Sequence, residues 1–185
     1  MNLLVIIAHP VQDSLSFAIA NKYKELAEAK NNTVEILDLY RSEHQQGFLT
    51  YDKVHDLKRT KEMAFYQSKI SKADELVFVF PYWWGSMPAI LKNFIDWNFS
   101  KGFAFTYENS RPKGLLNGKK VSIFTTTGAP SFFYKLTGAN SRLKKMFKQQ
   151  IIDFCGMKLK SCTIFGGVDQ SKTDASKIIN MVKFE

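Results

Sequence analysis

The sequence predicts an α/β fold in which a five-stranded parallel sheet is covered by helices on both faces. Short apolar runs alternate along the whole chain with segments of helical periodicity. The runs are almost continuously apolar, which is typical of strands buried on both faces. The 185 residues fit a single domain over residues 1–185, because the chain contains no repeat, low-complexity tract or linker.

Apolar runs predict the first strand at Leu3–Ala8 and the third at Leu76–Phe80, and an alternating pattern predicts the second at Thr33–Leu39. A helix is expected between the first two strands, and a second helix covers much of Asp52–Lys72. Pro81 ends the third strand, because proline has no N–H to donate to a sheet.

The second half of the chain continues the alternation. The predicted elements are a helix behind Pro88, an extended aromatic segment Gly102–Tyr107, a turn Gly114–Gly118, a strand Val121–Thr126, a helix Ser141–Phe154, a strand Met157–Phe165 and a short helix near Asp174–Val182. Ligands of such sheets lie outside the carboxyl ends of the strands. The loops to inspect therefore follow Ala8, Phe80 and Thr126.

The first of these loops leads into a helix N-terminus, whose unpaired N–H groups and partial positive charge suit a phosphate. Ser14 and Ser16 add hydroxyl donors, and His9 adds a ring N–H. The loop has neither the GxGxxG nor the GxxxxGK[ST] pattern, so the dinucleotide and P-loop fingerprints do not apply. A plain turn with a serine cap explains the loop equally well.

The second loop begins with Pro81 and three large aromatic residues, Tyr82, Trp83 and Trp84. A loop does not easily bury three such side chains, and together they suit the face of a flat conjugated ring. The alternative is that they cover the top of the sheet or a dimer interface.

The third loop contains Thr126, Thr127, Gly128 and Ala129, and Tyr134 follows it. Small residues allow close backbone approach to a ligand, and the hydroxyls can meet the carbonyl edge of a ring. The alternative is a polar loop with a surface tyrosine. A phosphate end, an aromatic wall and a polar edge at three strand ends together predict a flavin mononucleotide site.

Composition narrows the function classes. The formal charge of +9 suits phosphorylated nucleotides or a solvated helix face, and no recognisable nucleic-acid motif accompanies it, so no nucleic-acid partner is expected. Cys155 and Cys162 show no zinc or redox spacing and are expected to be buried, reduced thiols. The apolar N-terminus lacks the basic region and the cleavage site of a secretory signal. Together with the reduced thiols, this favours a cytoplasmic location. A domain of this size needs no disulfide or structural metal.

The sequence resembles the flavodoxin-like NAD(P)H:quinone oxidoreductase family, which includes mammalian quinone reductases, bacterial modulators of drug activity and flavoprotein subunits of potassium-efflux systems. The matching segments are Ala8–Pro10, Ser16–Ala18, Leu37–Tyr40, Phe80–Trp97, Gly102–Tyr107, Thr125–Ala129 and Phe154–Gly156. Phe80–Trp97 (FPYWWGSMPAILKNFIDW) is the most specific of them. The resemblance implies a three-layer sandwich with strand order 2-1-3-4-5.

The resemblance also implies roles for individual residues. The flavin phosphate is assigned to His9, Ser16, Phe17 and Ala18, the isoalloxazine to Pro81, Tyr82, Trp83 and Trp84, and its pyrimidine edge to Thr126, Thr127, Gly128 and Tyr134. A homodimer with the flavin at the interface is implied, as is ping-pong hydride transfer from NADPH or NADH to a quinone-like acceptor.

The sequence departs from the family at three points. Asn140 stands where the mammalian enzymes have a histidine that is assigned a charge-relay role together with the family tyrosine, here Tyr134. Because an amide cannot take the proton, the resemblance implies that Tyr134 performs this catalytic role alone or with solvent. Ala129 replaces the second glycine of TTGG. The long C-terminal extension of the mammalian enzymes is missing, which favours FMN over FAD as cofactor.

Other functions are compatible with the same residues. One is a regulatory flavoprotein subunit, peripherally associated with a membrane transporter and only weakly catalytic. Another is a one-electron flavodoxin, although those carriers are usually acidic and this chain is basic. The positive charge favours NADPH over NADH, and quinones, nitroaromatics and azo dyes all suit a flat slot as acceptors.

Overall fold

The fold is described from a computed structural model, which describes residues 1–53, 58–168 and 174–184. Its centre is a parallel sheet formed by β1 (Asn2–Ile7), β2 (Thr33–Asp38), β3 (Glu75–Pro81), β6 (Lys120–Thr127) and β7 (Lys158–Gly166). The spatial order is β2-β1-β3-β6-β7. Counted within this sheet alone, that order is 2-1-3-4-5, as predicted.

Helices cover both faces of the sheet. They are α1 (Leu15–Glu28), α2 (Lys61–Lys72), α3 (Ala89–Asn98), α4 (Ser131–Leu136), α5 (Ala139–Lys145), a π-helical segment (Met146–Ile152) and α6 (Ala175–Asn180). One apolar core lies between the sheet and α2, α3 and the π-helical segment, and the other lies against α1 and α6. No helix of the described part of the chain is long and apolar enough to cross a membrane.

The second helix is shorter than expected. Asp52, Lys53 and residues 58–60 are not helical, and residues 54–57 lie outside the described residues. The helix begins at Lys61 because the Thr60 hydroxyl accepts a hydrogen bond from the Met63 N–H at 3.1 Å. That cap marks the helix start.

The chain between β3 and β6 contains an antiparallel hairpin that the sequence analysis did not predict, β4 (Phe105–Glu108) and β5 (Arg111–Gly114). The expected extended segment is therefore extended only from Phe105. Asn109 and Ser110 form the hairpin turn with φ of 50° and 61°. A glycine usually occupies the second position of such a turn, and its absence removes the strongest hairpin signal.

The helical region before β7 starts earlier than the predicted Ser141 and is not one regular helix. Gly138, at φ 71°, separates α4 from α5, and the segment after Lys145 is π-helical. Of the two cysteines, Cys155 is buried as expected, whereas Cys162 on β7 is only partly buried. Burial raises the pKa of the Cys155 thiol to about 11.

Candidate active site

A cavity of about 580 Å³ opens at the carboxyl ends of β1, β3 and β6. Its volume lies within the usual range for sites of small ligands and cofactors, roughly 300–1,000 Å³. The three loops expected to carry the site meet here. The lining residues are His9, Leu15, Ser16, Pro81, Tyr82, Trp83, Trp84, Thr126, Gly128, Ala129 and Val168.

The first wall of the cavity is the loop between β1 and α1. His9 Nδ1 lies 2.9 Å from the Val11 carbonyl oxygen and 3.1 Å from the Val11 nitrogen, which fixes the ring and leaves Nε2 without a partner among the described residues. Ser16 lines the cavity and is buried. The loop therefore presents an oriented imidazole beside a helix N-terminus.

Ser14 does not cap the N-terminus of α1 with its side chain. It occupies the position before α1, yet its side chain makes no bond to the helix. Its Oγ is buried and has no partner among the described residues. The first N–H groups of α1, from Leu15 to Phe17, have no acceptor within the helix. Unpaired donors and a free hydroxyl at one helix end suit an anion.

The second wall is a tight turn after β3. The backbones of Trp83 and Ser86 exchange hydrogen bonds of 3.0 and 2.8 Å. Trp84 and Gly85 between them have φ of 51° and 77°, an unusual conformation for tryptophan. The turn leaves the Trp84 side chain fully exposed and Trp83 41% exposed. Two aromatic faces are thus displayed at the rim.

Tyr82 differs from the two tryptophans. It is buried against the core, and its backbone N–H donates to the Thr126 carbonyl at 2.8 Å. The sequence predicts a single wall of three aromatic residues, whereas the structure exposes two of them and buries one. The hydrogen bond of Tyr82 ties the second loop to the third.

The third wall follows β6. The Thr127 hydroxyl donates to the Ala129 carbonyl at 3.1 Å, and this hydrogen bond stabilises the conformation of the loop. The chain beyond β7 braces it, because the N–H groups of Gly167 and Val168 donate to the carbonyls of Ala129 and Thr127. The backbone N–H groups of Gly128 and Ala129 have no acceptor within the described part of the chain. They offer two donors at the cavity edge.

The structure brings most of the expected site residues together. The expected residues that line the cavity are His9, Ser16, Pro81, Tyr82, Trp83, Trp84, Thr126, Gly128 and Ala129. Ser14, Phe17, Ala18 and Thr127 adjoin lining residues in the sequence but do not line the cavity themselves. Asn140 is in the first turn of α5 and does not line the cavity. The backbone of Tyr134 lies in α4, and its side chain lies outside the described residues.

Two lining residues were missed. Leu15 is the first residue of α1, and Val168 follows the end of β7. The signal for Val168 was the pair Gly166–Gly167 after the fifth strand, since glycine often allows a close approach of backbone to ligand. Because β7 lies next to β6, its carboxyl end opens at the same edge as the three loops.

The residues present fit a flat cofactor with a phosphate at one end. The buried, unpartnered Ser14 hydroxyl and the open end of α1 suit the phosphate, the exposed tryptophans suit an aromatic ring, and the free N–H groups of Gly128 and Ala129 suit its carbonyl edge.

Comparison with known proteins agrees with this geometry. The family model described as a flavodoxin-like fold matches residues 1–183. The chain belongs to this flavodoxin-like family. A relative from Haemophilus influenzae, named an uncharacterized NAD(P)H oxidoreductase, is 30% identical over 172 residues, covering 91% of this chain and 85% of the relative.

Two further proteins show a comparable similarity. The FMN-dependent NADH:quinone oxidoreductase 1 of Bacillus licheniformis is 29% identical, covering 88% of this chain and 82% of its own. The crystal structure of Smu.1420 from Streptococcus mutans has a TM-score of 0.82 and 32% identity, over 98% of this chain and 96% of that one. The relatives from Haemophilus influenzae and Bacillus licheniformis confirm the resemblance to NAD(P)H:quinone oxidoreductases and the prediction of an oxidoreductase.

Proposed function

We propose that the protein binds FMN in the cavity at the ends of β1, β3 and β6 and reduces quinone-like acceptors with electrons from NAD(P)H. The observation that carries this proposal is the convergence in one cavity of an open helix end, two exposed tryptophans and two free backbone N–H groups. FMN, the cofactor named for the Bacillus relative, is preferred to FAD. The chemistry that FMN supplies is two-electron hydride transfer.

The first loop would hold the phosphate. The donors available there are the N–H groups of Leu15 to Phe17, the Ser14 and Ser16 hydroxyls and the His9 ring. Of these residues, His9, Leu15 and Ser16 line the cavity. Anions are stabilised at helix N-termini by the unpaired N–H groups and by the helix dipole. Ala18 lies within the same turn, its N–H bonded to the Ser14 carbonyl at 3.0 Å.

The other two loops would position the ring. Pro81 and Tyr82 form the floor, and Trp83 and Trp84 present apolar faces at the rim. The N–H groups of Gly128 and Ala129, next to Thr126, would stabilise negative charge at the pyrimidine edge of the flavin. Donors that are already in place stabilise such charge without any rearrangement of the protein. The Tyr134 hydroxyl is proposed to assist there, and the amide of Asn140 to act at most as a hydrogen-bonding group.

We also propose that a second copy of the chain completes the site. Trp84 is fully exposed beside the cavity, and α4, which follows the third loop directly, exposes Phe132, Phe133 and Leu136. Exposed apolar groups of this size favour burial in an interface. Sedimentation should give a dimer, and Trp84→Ser should shift it towards the monomer and weaken FMN retention; a wild-type monomer that retains FMN contradicts this part.

Steady-state kinetics test the reaction. With NADPH or NADH varied at several fixed concentrations of a simple naphthoquinone, a ping-pong sequence gives parallel double-reciprocal lines. The chain's positive charge favours NADPH as the better reductant. Intersecting lines would exclude the ping-pong order, and absence of turnover with FMN bound would exclude the activity.

A further inference from the structure

The loop that would receive the phosphate is poorly tied to the protein. Residues 10–13 (Pro10, Val11, Gln12 and Asp13) are all exposed. Within the described residues, one hydrogen bond joins this segment to a distant part of the chain, from Arg41 Nη2 to the Pro10 carbonyl oxygen. The other bonds of the segment are the local contacts between His9 and Val11.

Arg41 is itself held from two sides. Its Nη1 donates to Asp38 Oδ2 at 2.9 Å, and Asp38 Oδ1 accepts the backbone N–H of Tyr40 at 3.0 Å. The guanidinium also lies 5.7 Å from the centre of the Phe17 ring on α1. One side chain therefore connects the end of β2, the phosphate loop and the first turn of α1.

This connection lies where the loop leaves the sheet. Asp38, the last residue of β2, pairs with Ile7, the last residue of β1, and the Leu39 N–H donates to the Ile7 carbonyl at 3.0 Å. Asp38, which pairs with Arg41, is thus part of the sheet. The Arg41 guanidinium reaches the loop at Pro10, three residues beyond Ile7.

We propose that Arg41 is a positioning residue that holds the β1–α1 loop in the conformation that receives a phosphate group. The inference rests on the proposed function, because it assigns Arg41 to the phosphate end of that same site. A guanidinium donates in two directions in one plane while stacking on a ring, and the single ammonium of lysine cannot reproduce that geometry.

Preorganising a loop raises its affinity for the group that it binds, because the loop then loses less conformational entropy on binding. Loss of Arg41 should therefore weaken ligands that carry the phosphate more than ligands that lack it. FMN and riboflavin differ only in that phosphate, so their affinity ratio isolates the effect.

The experiment measures dissociation constants of FMN and riboflavin, by flavin fluorescence, for wild type, Arg41→Lys and Arg41→Gln. Both variants should bind FMN about tenfold more weakly, the order expected for one charge-assisted hydrogen bond, and riboflavin less than about twofold more weakly. Lys22→Gln is the control, because it removes one positive charge from a comparable ion pair, Lys22–Glu25 at 2.8 Å, in the body of α1.

Hydrogen exchange of residues 11–13 in the flavin-free protein supplies a second readout, with faster exchange expected in both Arg41 variants. If Arg41→Lys retains the FMN affinity of the wild type, the inference is overturned, because positive charge alone is then sufficient. If FMN and riboflavin lose affinity equally, the inference is also overturned, because a general effect on folding then explains the losses. A wild-type protein that binds neither flavin overturns the proposed function instead, and the exchange rates still decide whether Arg41 holds the loop.

Discussion

Replacing Ser14 with alanine separates two roles for this residue, a helix cap and a ligand contact. A capping serine that is replaced by alanine usually costs about 0.5–2 kcal/mol of stability. Here the Ser14 side chain makes no bond to the helix, and its Oγ is buried without a partner in the described structure. A buried unsatisfied hydroxyl costs about 1–3 kcal/mol, so its removal should not destabilise the flavin-free protein.

The same change should weaken FMN binding. A hydrogen bond to a charged phosphate contributes about 1.5–3 kcal/mol, which corresponds to a roughly 10- to 150-fold rise in the dissociation constant. Stability is measured by urea unfolding of flavin-free Ser14→Ala, and affinity is measured by FMN titration. The expected pair of results is a free energy of unfolding unchanged or raised by up to about 1 kcal/mol, with weaker FMN binding.

Thr60→Ala is the matched control for Ser14→Ala. The Thr60 hydroxyl does cap its helix, accepting from the Met63 N–H at 3.1 Å, and Thr60 does not line the cavity. It should lose about 1 kcal/mol of stability and keep its FMN affinity. A Ser14 variant that behaves like the Thr60 variant would refute the reasoning, since Ser14 would then be an ordinary cap.

Three further predictions follow from other parts of the molecule. Lys160→Met should cost about 3 kcal/mol in urea unfolding, because the fully buried Glu75 carboxylate loses the cation that pairs with it, Lys160 Nζ at 3.0 Å. Adding Glu75→Gln should recover most of this loss. Tyr134→Phe should lower kcat in steady-state assays with FMN still bound, and unchanged kinetics would exclude the proposed role. Because burial raises the pKa of the Cys155 thiol to about 11, this thiol stays protonated at pH 8. Mass spectrometry should therefore find it alkylated far more slowly than the thiol of a solvent-exposed cysteine.

The strands were predictable because the pattern that identifies them is strong, whereas their order followed from the resemblance to the quinone oxidoreductase family. Residues of β3 are buried from Glu75 to Pro81, and the run Leu76–Phe80 shows this directly in the sequence. The site could be located for a related reason: in parallel sheets, the carboxyl ends of neighbouring strands meet at one edge. Nine of the expected site residues line a single cavity there.

Other features depend on contacts that no local pattern encodes. The hairpin turn at Asn109–Ser110 lacks the usual glycine, and the bond from Arg41 to Pro10 joins positions 31 residues apart. The distinction between the buried Tyr82 and the exposed Trp84 arises from a two-residue turn in which Trp84 adopts a positive φ. The Arg41–Pro10 contact is tertiary, and Asn109, Ser110 and Trp84 adopt positive φ although none is glycine, so propensity and periodicity do not predict these features.

The most direct test of the central claim is an absorption spectrum of the purified protein after mixing with FMN and desalting, followed by anaerobic addition of NADPH. A flavin site predicts retained bands near ~450 nm that bleach with NADPH and return when a quinone is added. Protein that retains neither FMN nor FAD after desalting would contradict the account, because the cavity at the ends of β1, β3 and β6 would then not be a flavin site.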